Sequence, residues 1–225
     1  MIPWHEIDTV FLDLDGTLLD LHFDNHFWLE HVPQRYAEKN GMSLAWAKEE
    51  LMRRYLAIEG SLQWYCLDHW GAELNLDIVQ LKREMHHLIA IRPAVVPFLD
   101  ALRAAGKRVV LATNAHRGTL VLKMEVTKLE GHFDVMHSAH DDGTPKEQPE
   151  FWQQMQLKEP FDPARSLLID DNENVLRAAR EYGLAHLLGI KKPDSRGADK
   201  QLLDFVMLES FADLLPVLPA IKEWA

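Results

Sequence analysis

Short apolar runs bounded by polar turn residues recur in this chain at residues 9–14, 108–113, 134–137, 166–170 and 185–189, each rich in Val, Leu or Ile. Runs of that length read as buried strands. Between most of them the apolar residues fall three and four apart, the spacing of an amphipathic helix. Asp100 to Ala105 ends at Gly106, Arg117 to Leu129 ends near Gly131, and Asn172 to Tyr182 ends at Gly183. A glycine just past a helix is a common stop, because it enters the left-handed region at no steric cost. Strands alternating with helices predict a parallel sheet covered on both faces.

One connection breaks this rhythm. Between the first strand and the second lie roughly ninety residues, against about thirty for a whole βαβ unit. The insert, residues 21–92, reads as all-helical. Phe23, Phe27, Val32 and Tyr36 recur near helical spacing before Gly41, and Ser43 is placed to cap a helix carrying Ala47, Leu51 and Tyr55. Leu62, Tyr65, Cys66, His69 and Leu74 form a further stripe, and Asp77 caps a last helix with Leu81 and Met85. Pro93 marks the return to the main domain. The expected domains are therefore a core of residues 1–20 and 93–225 and a helical unit of residues 21–92. In the tail, Ser210 with Asp213 resembles a capping box, while Pro216 and Pro219 permit only short helical pieces.

Composition narrows the function more than the fold. A chain of 225 residues with 47 % hydrophobic and 26 % charged residues can bury a full core. Its net charge of −11 speaks against a nucleic-acid polymer as partner, since such binding rests on neutralising many phosphates. No apolar stretch is long enough to cross a bilayer, and Met1 to Glu6 lack the pattern of a signal peptide. Cys66 is the only cysteine, which excludes an intrachain disulfide and suits a reducing cytoplasm.

The chemistry gathers at strand ends. Asp13-Leu14-Asp15-Gly16-Thr17 closes the first apolar run; Thr113-Asn114 closes the second; Asp170-Asp171 closes the fourth; Lys146 lies in a polar loop. Residues i and i+2 of a strand share a face, so Asp13 and Asp15 are expected together if the strand runs through Leu14. In open α/β sheets, ligands bind outside the carboxyl ends of the strands, and all these groups then converge on one crevice. Like carboxylates repel, and a divalent cation would relieve that repulsion.

The parts suit phosphoryl transfer. Mg²⁺ prefers oxygen ligands, Asp13 would attack phosphorus, and Asp15 would act as acid and then base. Thr17, Thr113, Asn114 and backbone N–H groups would bind phosphoryl oxygens, with Lys146 balancing charge. Other divalent cations such as Mn²⁺ offer the same coordination chemistry.

This ordered set resembles the haloacid dehalogenase superfamily over about residues 8–190. The resemblance implies a Rossmann-like parallel sheet of order 5-4-1-2-3 with an inserted helical cap, an Mg²⁺ ion and an aspartyl nucleophile. It further implies metal contacts from Asp13, the main-chain carbonyl of Asp15 and Asp171, with Asp170 supporting. Within the superfamily, Phe23-Asp24-Asn25, Phe27-Trp28, Trp64-Tyr65-Cys66-Leu67-Asp68, Thr113-Asn114-Ala115-His116 and Pro193-Asp194-Ser195 resemble the bacterial GMP/IMP nucleotidases. That likeness implies a 5′-nucleotidase acting on purine monophosphates.

Trp64, Tyr65, His69 and Trp70 either line a purine pocket or glue insert helices together. Asn25, Gln63 and Asp68 have the donors and acceptors that a 6-oxopurine needs. His22/His26 and His137/His140 have possible metal spacings but lack further zinc ligands, so surface or loop histidines are expected; Cys66 reads as inert core. Competing readings are a sugar-phosphate phosphatase or phosphomutase, a metal-free dehalogenase, and a silent phospholigand-binding module. Intact Asp13 and Asp15 speak against the last.

Overall fold

All four residues of β1 (Thr9–Leu12) are buried, as a central strand covered on both faces requires. The structure, a computed structural model, describes residues 2–219; Met1 and residues 220–225 of the predicted core unit lie outside the described residues. β1 lies between β2 (Arg108–Thr113) and the later β4 (Ser166–Asp170), with β3 (Val135–Ser138) outside β2. Beyond β4 come β5 (His186–Ile190) and β6 (Val206–Leu208), and every pairing is parallel. The expected order 5-4-1-2-3 is present, extended by β6 at one edge.

Ten α-helices surround or interrupt this sheet among the described residues. α1 (His22–His26), α2 (Val32–Asn40), α3 (Leu44–Ile58), α4 (Leu62–Tyr65), α5 (Leu67–Leu74) and α6 (Ile78–Glu84) all lie between β1 and β2. A π-helical turn, Phe27–His31, joins α1 to α2 without a break. α7 (Val95–Ala104), α8 (Arg117–Thr127), α9 (Pro149–Lys158) and α10 (Glu173–Tyr182) cover the sheet.

Strand alternation divides the core. Val10, Leu12, Val109, Leu111, Leu167 and Ile169 pack with Phe98 and Leu102 of α7 and Leu120 and Met124 of α8. Phe11, Val110, Ala112 and Leu168 point the other way, onto Phe151, Trp152 and Met155 of α9 and Val175 and Leu176 of α10. The helices between β1 and β2 bury a separate set, among them Phe27, Leu51, Tyr55, Leu67, Trp70 and Leu81. Among the described residues no helix is long and apolar enough to cross a membrane.

Several local expectations move. α9 and β6 were not predicted; the signal for α9 is Pro149 in its first turn followed by the stripe Phe151, Trp152, Met155. α7 starts at Val95, before Asp100, because Ala94 enters it from the left-handed region (φ 63). α8 stops at Thr127, ahead of Gly131, because Lys128 takes the left-handed C-cap (φ 59). Ser210 and Asp213 do form a capping box, around the 3₁₀ turn Phe211–Leu214.

Candidate active site

β1 ends at Leu12, and a turn carries the chain through Leu14 to Asp15, which bridges to Leu19. The same-face rule for a strand through Leu14 therefore does not apply. Asp13 and Asp15 part company and join different buried lysines, although both line one cavity.

Asp13 meets Lys146. The ammonium of Lys146 donates to Asp13 Oδ1 at 2.5 Å, Asp170 Oδ2 at 2.7 Å and the Ala112 carbonyl at 3.0 Å. Its backbone N–H donates to Asn114 Oδ1 at 3.0 Å. Burial alone would lower the lysine's pKa, but Asp13 and Asp170 outweigh it and raise it above the ordinary value. Burial also raises Asp13, opposed by Lys146 and reinforced by Asp171. It pushes Asp170 up to about 8 against the pull of Lys146, with Asp13 and Asp171 adding to the rise. Asp13, Asp170 and Asp171 each place a carboxylate oxygen within 4.8 Å of the other two. Such a set of hard oxygen donors, crowded by like charge, fits a divalent cation of the magnesium type.

Gly16 shapes this cradle. Its φ of +83° suits glycine, and a Cβ there would stand 2.8 Å from Asp171 Cγ. Gly16→Ala is expected to cost roughly 1–3 kcal/mol and to lower activity by displacing Asp171. A urea midpoint equal to that of the parent protein would contradict this.

Asp15 belongs to a second charged chain. Lys123 of α8 donates to Asp15 Oδ1 at 2.5 Å and to Asp24 Oδ2 at 2.6 Å, while Lys82 of α6 donates to Asp24 Oδ1 at 2.8 Å. Lys123 is 1 % exposed and Lys82 2 %. Burial pushes Asp15 up to about 6, opposed by Lys123 and reinforced by Asp24 and Asp13. Burial would also raise Asp24, but the two lysines hold it down at about 2.

These shifts set the acid–base behaviour of metal-free protein. Asp15 and Asp170, about 6 and about 8 when folded, bind protons more tightly than at their ordinary 3.8. Their stabilisation is complete below that ordinary value and is lost as pH rises through 6 and 8. Asp24 works the other way, losing its contribution only as pH falls from 3.8 towards 2. In EDTA, stability is expected to fall between about pH 5 and 8 by at least ~1.4 kcal/mol, the worth of one pKa unit. Thermal unfolding across that range, with and without a divalent cation, measures it; a profile in EDTA that rises with pH would contradict it.

A cavity of about 600 Å³ joins both clusters to the helical insert, within the range of ligand pockets. Its floor includes Asp13, Asp15, Thr113, Lys146, Asp170 and Asp171, and its wall includes Asn25, Trp28, Tyr55, Trp64, Tyr65 and Trp70. Trp28 sits in the π turn, whose extra residue re-aims the helix face. Trp64, Tyr65 and Trp70 line this cavity, and the insert helices are also packed together through aromatic contacts. Tyr55 meets Trp70 edge-on at 4.9 Å and Trp64 at 5.8 Å, gluing insert helices while lining the cavity.

The expected residues do not all arrive. Thr113 is buried in the cavity floor, its Oγ1 accepting the Ala115 N–H at 3.0 Å. Asn114 lines the cavity, but its side chain is committed to Lys146 and to Glu147 Oε2 at 2.9 Å, so it positions these two. Thr17 is fully buried, does not line the cavity, and its Oγ1 has no partner among the described residues. Asn25 lines the cavity and donates to Asp194 at 2.7 Å. Asp68 is 84 % exposed beside His116, outside the cavity lining, as are Gln63 and His69. His137 is no surface residue: it is buried in β3, with Nε2 2.8 Å from the Asp142 carboxylate. Cys66 is half-buried as the N-cap of α5 rather than inert core.

Sequence reasoning missed Lys123, Lys82, Glu147 and Lys200. Glu147 accepts from Tyr65 OH at 2.7 Å and from Asn172 Nδ2 at 3.2 Å, tying the insert to the sheet. Lys200 donates to Asp171 Oδ2 at 2.9 Å. A signal existed for two of them. Lys123 falls three after Leu120, and Lys82 four after Ile78, both on core-facing stripes where an unpaired lysine does not belong.

Residues 7–183 match the haloacid dehalogenase-like hydrolase family. The chain is 42 % identical over 217 residues to the GMP/IMP nucleotidase YrfG of Escherichia coli, covering 96 % of this chain and 98 % of that protein. It superposes on a crystal structure of an HAD phosphatase from Thermococcus onnurineus with a TM-score of 0.79 and 21 % identity, over 92 % and 96 % of the two chains. CbbY from Rhodobacter sphaeroides, solved in complex with phosphate, superposes with a TM-score of 0.66 and 19 % identity, over 93 % and 96 %.

Proposed function

The chain belongs to the haloacid dehalogenase-like hydrolase family, and from that premise we propose that it hydrolyses purine nucleoside 5′-monophosphates through an aspartyl-phosphate on Asp13. The observation that carries this reading is the buried Asp13–Lys146–Asp170 cluster opening into a cavity walled by Trp28, Tyr55, Trp64 and Trp70. An aromatic wall offers stacking faces to a base, and a carboxylate in the acidic floor supports the reading of Asp13 as the nucleophile toward a phosphate. The 42 % identity to a GMP/IMP nucleotidase supports the same substrate class, with guanine or hypoxanthine as base.

Each residue then has a role. Lys146 holds Asp13 by Oδ1, which leaves the other oxygen to attack phosphorus. Asp15, pushed up to about 6, is poised near neutrality to protonate the leaving oxygen and then to take a proton from water; such groups contribute roughly 10²–10⁴-fold. Lys123 keeps Asp15 oriented. The Thr113 hydroxyl, its oxygen already accepting from Ala115, has its own hydrogen to offer a phosphoryl oxygen. Asp13, Asp171 and the main-chain carbonyl of Asp15 would hold Mg²⁺ or Mn²⁺, with Asp170 behind them. When bound, the ion supplies positive charge that offsets the repulsion between carboxylate and phosphate. A lone cysteine suits work in a reducing cytoplasm.

The test is phosphate release from GMP, IMP, AMP, ribose 5-phosphate, glucose 1-phosphate and pyridoxal phosphate, with Mg²⁺ and with EDTA. The 6-oxopurine monophosphates are expected to give the highest kcat/KM, and EDTA to abolish release. No metal-dependent release from any of these esters would end the hydrolase reading; equal rates on all would end the purine assignment.

A further inference from the structure

Away from the acidic cavity, three lone-pair donors meet where the helical insert rests on the sheet domain. Cys66 lies between α4 and α5 of the insert; His116 caps the N-terminus of α8; His140 lies in the 3₁₀ turn Ala139–Asp141 that follows β3. One ligating atom of each lies within 4.8 Å of those of the other two. The two imidazoles meet edge to face, their centroids 5.0 Å apart.

Each group is set up to bind a Lewis acid. Cys66 Sγ accepts the His69 N–H at 3.5 Å as the N-cap of α5, which fixes the position of the sulfur. His140 Nε2 is buried and has no hydrogen-bond partner among the described residues. Burial, helped by His116, lowers the pKa of His140 and so keeps its ring neutral. The Asp68 carboxylate lies 3.5 Å from His116 Nε2. A carboxylate on one imidazole nitrogen orients the ring and leaves the other nitrogen to ligate. That other nitrogen, Nδ1, accepts the Gly118 N–H at 3.2 Å, a neutral bond that a metal would replace.

We propose that Cys66, His116 and His140 form a binding site for a zinc-class divalent cation, with Asp68 orienting His116, and that the ion pins the helical insert to the sheet domain. Thiolate and imidazole select borderline-soft ions, whereas Mg²⁺ takes oxygen. The site therefore does not compete for the ion that Asp13 and Asp171 would hold. Three protein ligands leave a fourth tetrahedral position for water. Because Cys66 comes from the insert and the histidines from the sheet domain, an ion held by all three adds a cross-link between them.

Co²⁺, a visible stand-in for Zn²⁺, tests this when titrated into metal-free protein with excess Mg²⁺ present. One equivalent is expected to produce a thiolate-to-cobalt charge-transfer band in the near ultraviolet, bleached by one equivalent of Zn²⁺. Cys66→Ser is expected to lose the band, and His140→Ala to weaken Zn²⁺ binding at least about tenfold, both keeping the parent circular dichroism and melting cooperativity. Zn²⁺ should also slow amide exchange at the α4–α5 junction in the parent protein and not in Cys66→Ser. No band in the parent, a band persisting in Cys66→Ser, or unchanged Zn²⁺ affinity in His140→Ala would overturn the site. Unchanged exchange on Zn²⁺ binding would overturn the cross-link. No phosphate ester enters these measurements, so their outcome is independent of the proposed activity.

Discussion

Asp13→Asn is expected to stop turnover while leaving the fold at least as stable as before. An amide lacks the nucleophilic oxygen, and losing a covalent nucleophile costs on the order of 10⁴-fold or more in kcat. Stability should not follow activity down. Asp13 is buried beside Asp171 and shares Lys146 with Asp170, so the substitution removes one of several crowded like charges. Lys146 keeps its 2.7 Å bond to Asp170 and can still donate to the new amide oxygen. Phosphate release and thermal unfolding in EDTA measure the two halves separately. Retained turnover would remove Asp13 from the mechanism, and a large drop in melting temperature would show that the carboxylate is structural.

The opposite pattern is expected for Lys146→Met. Here the fold suffers first, because two buried carboxylates lose the cation between them. Breaking a buried pair by removing one partner costs about 3–5 kcal/mol, on the order of 10 °C in melting temperature for a chain of this size. Activity should fall as well, since Asp13 loses the group that holds it. The deficit has a sign in pH. Asp170 already sits at about 8 with Lys146 present, and without that lysine it protonates more readily still. Protonation removes the uncompensated charge, so the loss of stability should shrink from about pH 8 to pH 5. Thermal unfolding of parent and variant at the two pH values decides this; a deficit that grows on acidification would refute the account.

The two variants separate chemistry from architecture at one contact. Asp13 and Lys146 are bonded at 2.5 Å, yet one is the reacting group and the other is the buried charge that makes the site affordable. The Asp15–Lys123–Asp24–Lys82 chain repeats that logic on the other side of the cavity, with two lysines from separate helices facing two carboxylates.

Legibility in the sequence followed the range of the interaction. Asp13, Thr113 and Asp170 each stand at the end of a short apolar run, and the crevice rule for parallel sheets brought them together. Lys146 was legible by its loop, and the helical insert by the length of one connection. Thr17 was misplaced because a turn, rather than a continued strand, follows Leu12 and buries that side chain. Asp68 was misplaced because the rotation of the eight-residue α5 about its axis, which the local sequence does not record, leaves that side chain exposed beside His116. Lys123 was not singled out; its one local signal is its place on an apolar stripe, three residues after Leu120.

By itself, then, the sequence determined the alternation of strands and helices, the insert and the order of acidic strand ends, since each depends on a few neighbouring residues and on backbone periodicity. Only the tertiary structure decided which lysine meets which carboxylate, that Glu147 ties Tyr65 to Asn172, and that Cys66 faces two histidines of the other unit. Those pairings depend on how far each helix is turned about its axis and on where the insert comes to rest. Both are settled by packing between residues far apart in the chain, which no local pattern records.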